Sequence, residues 1–256
     1  MPEPRRRPYV AGNWKMHKTV AESGPYVESL LGLLPDPAKV QVGICVPYLA
    51  LGAAVEAAAG SELQVAAQNM HQEPSGAFTG EISGGMLTEL GVRAVVLGHS
   101  ERRRYNAEND KALQEKVPAA IAAGLQPILC VGETEEEHEA DETQRRLRHQ
   151  VQEGFEKVPD EGLGELIVAY EPVWAIGTGK VATAEQAQEA IGFIRALVGD
   201  RSRAAAERLR VIYGGSVTPE NAAEIMAQPD VDGALVGGAS LAPHSLAEIA
   251  ELAASP

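Results

Sequence analysis

The sequence predicts a closed (β/α)8 barrel in one domain, and three observations carry that expectation. Short apolar, β-branched runs alternate with longer amphipathic or Ala-rich segments from end to end; the runs number eight; and polar or glycine residues gather immediately after them. Strict alternation implies parallel strands joined by helical crossovers. Eight units in 256 residues suit a closed barrel, with an open doubly wound sheet as the alternative.

The elements follow in order. Strand-like runs fall at Tyr9-Val10-Ala11, Val40 to Val46, Leu63 to Ala67, Ala94 to Leu97, Pro127 to Val131, Leu166 to Ala169, Leu209 to Tyr213 and Ala234 to Val236. Each is short enough and apolar enough to be a strand buried on both faces. Helical patterns lie between them, including Thr19 to Leu34, Lys111 to Ala123, Glu137 to Phe155, Ala184 to Leu197 and Pro219 to Ala227, several preceded by Asp, Ser or Thr caps. Asp200 to Glu207 reads as a longer helix end, and Glu133 to Glu142 as a solvated helix start.

Composition agrees with one domain over residues 1–256 in which 1–7 form a frayed tail. The 45% hydrophobic content supports a sizeable core. No apolar run approaches membrane-spanning length, and the basic start lacks the apolar stretch of a signal segment, so no membrane partner and a cytoplasmic location are expected. Cys45 and Cys130 lie in strands without metal-ligand spacing, as reduced thiols would. The net charge of −14 disfavours nucleic acid. His17, His71, His138, His149 and His244 form no ligand pattern, so neither metal nor cofactor is expected and these rings read as surface or packing residues.

Polar residues follow the strands: Gly12-Asn13-Trp14-Lys15, Gln68-Asn69, Gly98-His99-Ser100-Glu101, Gly132-Glu133, Glu171, Gly214-Gly215-Ser216 and Gly237-Gly238. In a parallel barrel these points share one face and converge on one site. Glu171 ends an apolar run and enters Pro172 to Lys180, which has the composition of a lid: Pro172 stiffens the entrance, Trp174 and Ile176 can pack down, and Gly177 and Gly179 free the far hinge. The glycine turns after runs seven and eight, including Ser216, Gly237 and Gly238, suit a phosphate, because bare backbone N–H groups approach an anion closely. Lys15 adds local positive charge.

With these residues in view, the chain resembles the triosephosphate isomerase family over nearly its whole length. Gly12 to Met16, Gly76-Ala77-Phe78-Thr79-Gly80-Glu81, Gly98 to Arg103, Ala169 to Lys180, Tyr213 to Ser216 and Gly237-Gly238 fall in that family's order and spacing. The resemblance implies interconversion of dihydroxyacetone phosphate and glyceraldehyde 3-phosphate, by a pattern already described for this family. Glu171 then matches the base, His99 a neutral electrophile, Lys15 the positive charge and Asn13 a neutral donor. Asn13, Lys15, Gly177, Ser216, Gly237 and Gly238 match substrate-binding positions, and Ser100, Glu101, Cys130 and Thr79 match supporting ones. Glu101 fits a structural ion pair with Arg102 equally well, and Cys130 and Glu133 fit a role in shaping the site. The connection Met70 to Ser83 resembles the family's interdigitating loop, which implies a homodimer.

Two departures stand out. His17 occupies a usual Asn position, and Asn106-Ala107 replace a usual Phe-Gly before Glu108, which bears on packing after the fourth strand. Two other functions compete: a Schiff-base aldolase, which needs a nucleophilic lysine inside the barrel, and a non-catalytic phosphate-binding barrel, which has no use for Glu171, His99 and Lys15 together.

Overall fold

Eight parallel strands pair in chain order and close on themselves. They are β1 (Tyr9–Asn13), β2 (Gln41–Val46), β3 (Gln64–Ala67), β4 (Ala94–Leu97), β5 (Gln126–Val131), β6 (Ile167–Tyr170), β7 (Arg210–Tyr213) and β8 (Gly233–Val236). This computed structural model describes residues 6–178 and 180–255. Closure is made by β8 against β1, with Gly233 opposite Tyr9 and Val236 opposite Gly12.

Strand periodicity splits the core into two layers. Tyr9, Ala11, Cys45, Ala66, Val96, Ile128, Cys130, Ile167, Ala169, Ile212 and Leu235 fill the barrel interior. The alternate residues, such as Val10, Ile44, Leu129, Val168 and Val211, join the larger layer between barrel and helices. This alternation places the site. One further inward step from Ala11 is Asn13, and one from Ala169 is Glu171, so both side chains arrive at the mouth formed by the strands' carboxyl ends.

The helices agree with local chemistry. Val20–Leu31 begins at a capping box in which the Thr19 N–H donates to Glu22 Oε2 at 2.8 Å. Thr183 and Gln186 do the same for Ala184–Arg201. Asp110–Ala122 and Pro219–Met226 lie within a residue or two of their expected spans, whereas Val20–Leu31 stops short of Leu34 and Ala184–Arg201 runs past Leu197.

Two expected helices differ. Glu137 to Phe155 is interrupted: Glu135–Glu139 is capped by Thr134, and the chain breaks at Asp141, whose φ of +55° is left-handed, before Thr143–Phe155 resumes. Asp tolerates that region better than most residues. Of the stretch from Asp200 to Glu207, only Asp200 and Arg201 are the expected longer helix end, because the helix Ala184–Arg201 stops there. Ser202 turns extended, with φ −154°, and its hydroxyl accepts from the Ala205 N–H to start a second helix, Arg203–Arg208. At the amino terminus, Arg6 is not frayed; it pairs with Asp232 at 2.7 Å, while residues 1–5 lie outside the described residues. Ala107, at the usual glycine position, has a φ of +52°, a conformation that costs an alanine about 1 kcal/mol.

Candidate active site

Glu171 is fixed first by backbone. Its N–H donates to Val131 O at 2.7 Å, extending the β5–β6 ladder by one residue. The approach of the two strands is close enough that a Cβ on Gly132 would stand 1.7 Å from Glu171 O, so glycine is required there. Glu171 is 2% exposed. Oε1 accepts from His99 Nε2 at 2.9 Å, and Oε2 accepts from the Ser100 N–H at 2.9 Å. Burial works against the charge on Glu171, but the facing His99 and the Ser100 N–H outweigh it and hold the carboxyl below its usual range.

His99 caps Ser100–Tyr105, with Nδ1 accepting from the Glu101 N–H at 3.2 Å. That contact assigns the ring proton to Nε2 and makes the ring neutral in this arrangement. Burial also opposes its charged form, whereas the charge of Glu171 raises its affinity for a proton and prevails. Neutrality of His99 therefore rests on the backbone donor at Nδ1.

Lys15 lies just past β1 with a φ of +51°. Its N–H donates to Asn13 Oδ1 at 3.0 Å, and Gln68 Nε2 donates to Lys15 O at 2.9 Å and to Cys45 O at 3.0 Å. These contacts hold the left-handed turn that sends the lysine over the mouth. Its Nζ meets Glu101 Oε1 at 2.6 Å. The expected alternative, a Glu101–Arg102 pair, is not formed: Arg102 faces Glu108 at 3.4 Å, and Glu108 is engaged by the buried Lys116.

Asn13, Lys15, His99, Glu171, Gly177, Ser216, Gly237 and Gly238 line one cavity of about 380 Å³, together with Glu101, Ile176 and Gly214. Ser100 contributes its N–H to the Glu171 carboxylate. Cys130 is fully buried inside the barrel, where burial pushes its thiol far up. Thr79 is exposed on the connection after β3 and does not join this cavity.

The segment after Glu171 forms a single turn of 3₁₀ helix, Val173–Ala175. Glu133 holds it from below: its carbonyl accepts from the Val173 N–H at 3.1 Å, and its carboxylate accepts from Trp174 Nε1 at 2.7 Å and the Tyr170 hydroxyl at 3.0 Å. Glu133 is thus fully buried and not part of a solvated helix start. Thr178 Oγ1 donates to Trp174 O, and Gly177 has a φ of +69°. Gly179, expected at the far hinge, lies outside the described residues.

Gln68 was expected only as one of the polar residues gathered after the strands, and Gln150 was given no role by sequence reasoning. The Gln150 side-chain oxygen accepts from the Gly132 N–H at 2.7 Å. Position after a strand was the available signal for Gln68; none marks Gln150. Among the described residues no group of three or more His, Cys, Asp or Glu is placed to hold a metal, and no helix is long and apolar enough to cross a membrane.

A carboxylate base, a neutral imidazole donor, an ammonium and two glycine turns at one barrel mouth can move a proton on a small anion while stabilising the oxyanion that forms. Comparison with known proteins agrees. Residues 8–253 match the family model described as Triosephosphate isomerase. Proteins named triosephosphate isomerase from Moorella thermoacetica and Carboxydothermus hydrogenoformans are 52% and 50% identical, each over 95% of this chain and 98% of the relative. One from Symbiobacterium thermophilum is 50% identical over 97% of this chain and 98% of its own length. With the match running from the residue before β1 nearly to the end of the last helix, the chain belongs to the triosephosphate isomerase family.

Proposed function

We propose that this chain interconverts dihydroxyacetone phosphate and D-glyceraldehyde 3-phosphate through an enediolate, and that Glu171 carries the proton between the two carbons. The observation carrying this reading is the Glu171–His99 contact of 2.9 Å inside a cavity that also holds Lys15 and both glycine turns. The carboxylate oxygens now accept from His99 and Ser100. When the substrate carbonyl oxygen accepts a hydrogen bond from the His99 Nε2–H in place of Glu171, the carboxylate is released toward the adjacent carbon. His99 and Asn13 then face the developing oxyanion, Lys15 balances charge, and backbone N–H groups at Gly177, Ser216, Gly237 and Gly238 take the phosphate. Ser100, Glu101 and Cys130 support that arrangement.

A Schiff-base aldolase is not favoured, since Lys15 is held as an ion pair with Glu101. We read the active species as a homodimer in which the Met70–Ser83 connection enters the partner and Thr79 steadies Asn13 and Lys15. Phe78, 42% exposed with its ring 4.2 Å from His71, suits the apolar anchor of such a contact. A cytoplasmic enzyme needing no metal or cofactor completes the reading.

The test is deuterium exchange into dihydroxyacetone phosphate by wild type and Glu171→Gln. Exchange and isomerisation should fall by roughly 10³-fold or more in the variant while affinity for a phosphate-bearing analogue changes little. Near-normal turnover by a folded Glu171→Gln protein would overturn the assignment.

A further inference from the structure

His138 lies outside the site described above, yet its ring is laid on the lid. It belongs to the short helix Glu135–Glu139, and its imidazole stacks on Trp174 with centroids 4.2 Å apart and planes 14° from parallel. Its Nδ1 is 3.7 Å from Glu133 Oε1, the same oxygen that accepts from Trp174 Nε1 and Tyr170. The second carboxylate oxygen of Glu133 is buried without a hydrogen-bond partner among the described residues. Trp174 is therefore gripped on its edge by a buried carboxylate and on its face by a histidine.

We propose that His138 is a positioning residue of the lid whose protonation tightens the grip on Trp174 and so makes lid closure over a bound anion weaker in acid. This rests on the isomerase reading only in taking Pro172 to Lys180 as the lid. A neutral imidazole stacks on the indole; an imidazolium adds cation–π attraction to Trp174 and ionic attraction to Glu133. Both additions favour the arrangement seen here over any that lifts Trp174 away.

The surrounding charges do not duplicate the effect. On its own helix Glu135 is spent on Lys180 at the far end of the lid, a pair whose charges do not change between pH 5.5 and 8, and Glu137 faces Arg146 at 3.5 Å on the following helix. Glu142 pairs with Arg145. Glu139 sits beside it in sequence. Among the described residues, Glu133 is the carboxylate within ion-pair distance of the ring.

Sulfate is the probe, because its charge is constant between pH 5.5 and 8 and it mimics the phosphate. Its dissociation constant is to be measured by tryptophan fluorescence across that range for wild type, His138→Phe and His138→Arg. Phe keeps the stack without the charge; Arg keeps the charge at every pH. On moving to pH 5.5, wild type should lose affinity relative to His138→Phe by roughly two- to fivefold, and His138→Arg should match acid-form wild type throughout. Superimposable pH profiles for wild type and His138→Phe overturn the proposal. Isomerase assays on the same proteins separate the two readings: absent turnover with the sulfate difference intact removes the isomerase reading and leaves the histidine's role standing.

Discussion

Replacing Gly132 by alanine should disable the site from a residue that touches no substrate. A Cβ built there stands 1.7 Å from Glu171 O and 2.6 Å from Glu171 C, against an ordinary contact of about 3.5 Å. The obstructing atoms are backbone, so no rotamer change relieves the overlap. β5 and the residue after β6 must part by more than about 1 Å, and the Glu171 N–H to Val131 O bond of 2.7 Å and the Gly132 N–H to Gln150 bond of 2.7 Å lengthen with them. A base displaced by roughly 1 Å loses about 100-fold in rate, or about 2.7 kcal/mol of barrier, and the overpacking costs about 1–3 kcal/mol of stability. Steady-state kcat, with circular dichroism and urea unfolding, measures both. Gly52→Ala is the control: nothing lies within 4 Å of its Cβ, and it sits in the helix Leu51–Ala57. That variant should keep wild-type kcat and gain about 0.5–1 kcal/mol of stability. A folded Gly132→Ala enzyme with kcat within about twofold of wild type would refute the argument that strand proximity places the base.

Shortening the lid between Ile176 and Thr178 should raise methylglyoxal formation relative to isomerisation, because water then reaches the enediolate; an unchanged product ratio counts against the lid. Placing charges at Phe78 and Thr79 should weaken association and activity together, with activity recovering at high protein concentration; a wild-type protein that sediments as a fully active monomer defeats the dimer reading. The folded-state pKa of Glu171 is lowered from 4.5, so the stability from its contacts is fully present above that value and is lost as pH falls through the lowered one. Urea unfolding of Glu171→Gln should accordingly lose less stability than wild type on going below pH 4.5, and parallel profiles would show that the carboxylate is not held as described.

The barrel was legible because its strands are buried on both faces, which compresses β-branched and small apolar residues into short runs, and eight such runs alternate with longer helical patterns. All eight strands fall within two residues of their expected bounds. The site was legible for the same reason: Asn13 and Glu171 are the next inward steps after Ala11 and Ala169, and strand ends in a parallel barrel share one face. What sequence reasoning missed depends on side chains that choose among equivalent neighbours. At Glu133 the sequence left two expectations, a role in shaping the site and a place in a solvated run of glutamates, and the side chain turns inward to Trp174 and Tyr170 because it stands directly after β5 and before the Thr134 cap. Glu101 had Arg102 beside it in sequence, but successive helical residues point about 100° apart, and Lys15 from the far end of the chain occupies its face. The helix break at Asp141 turns on one left-handed residue, a choice that periodicity does not register.

The protein carries a net charge of −14, yet its site is read as one for a phosphate ester, and geometry reconciles the two. Charges more than about 8 Å from the cavity are largely screened at physiological ionic strength, so the exposed glutamates of the outer helices slow encounter more than they weaken binding. Inside the cavity the balance is local. Glu171 and Glu101 bring negative charge, but each is already engaged, Glu171 by His99 and the Ser100 N–H and Glu101 by Lys15 at 2.6 Å. The half-exposed Lys15–Glu101 pair is weak enough to be redirected. A dianion entering between Lys15 and the turns at Gly214–Ser216 and Gly237–Gly238 can take the ammonium from Glu101, whose side chain is 42% exposed and can be solvated in exchange. Glu101 thus keeps Lys15 extended over the barrel mouth, and the strained backbone at Lys15, held by Asn13 and Gln68, keeps it there when the anion arrives.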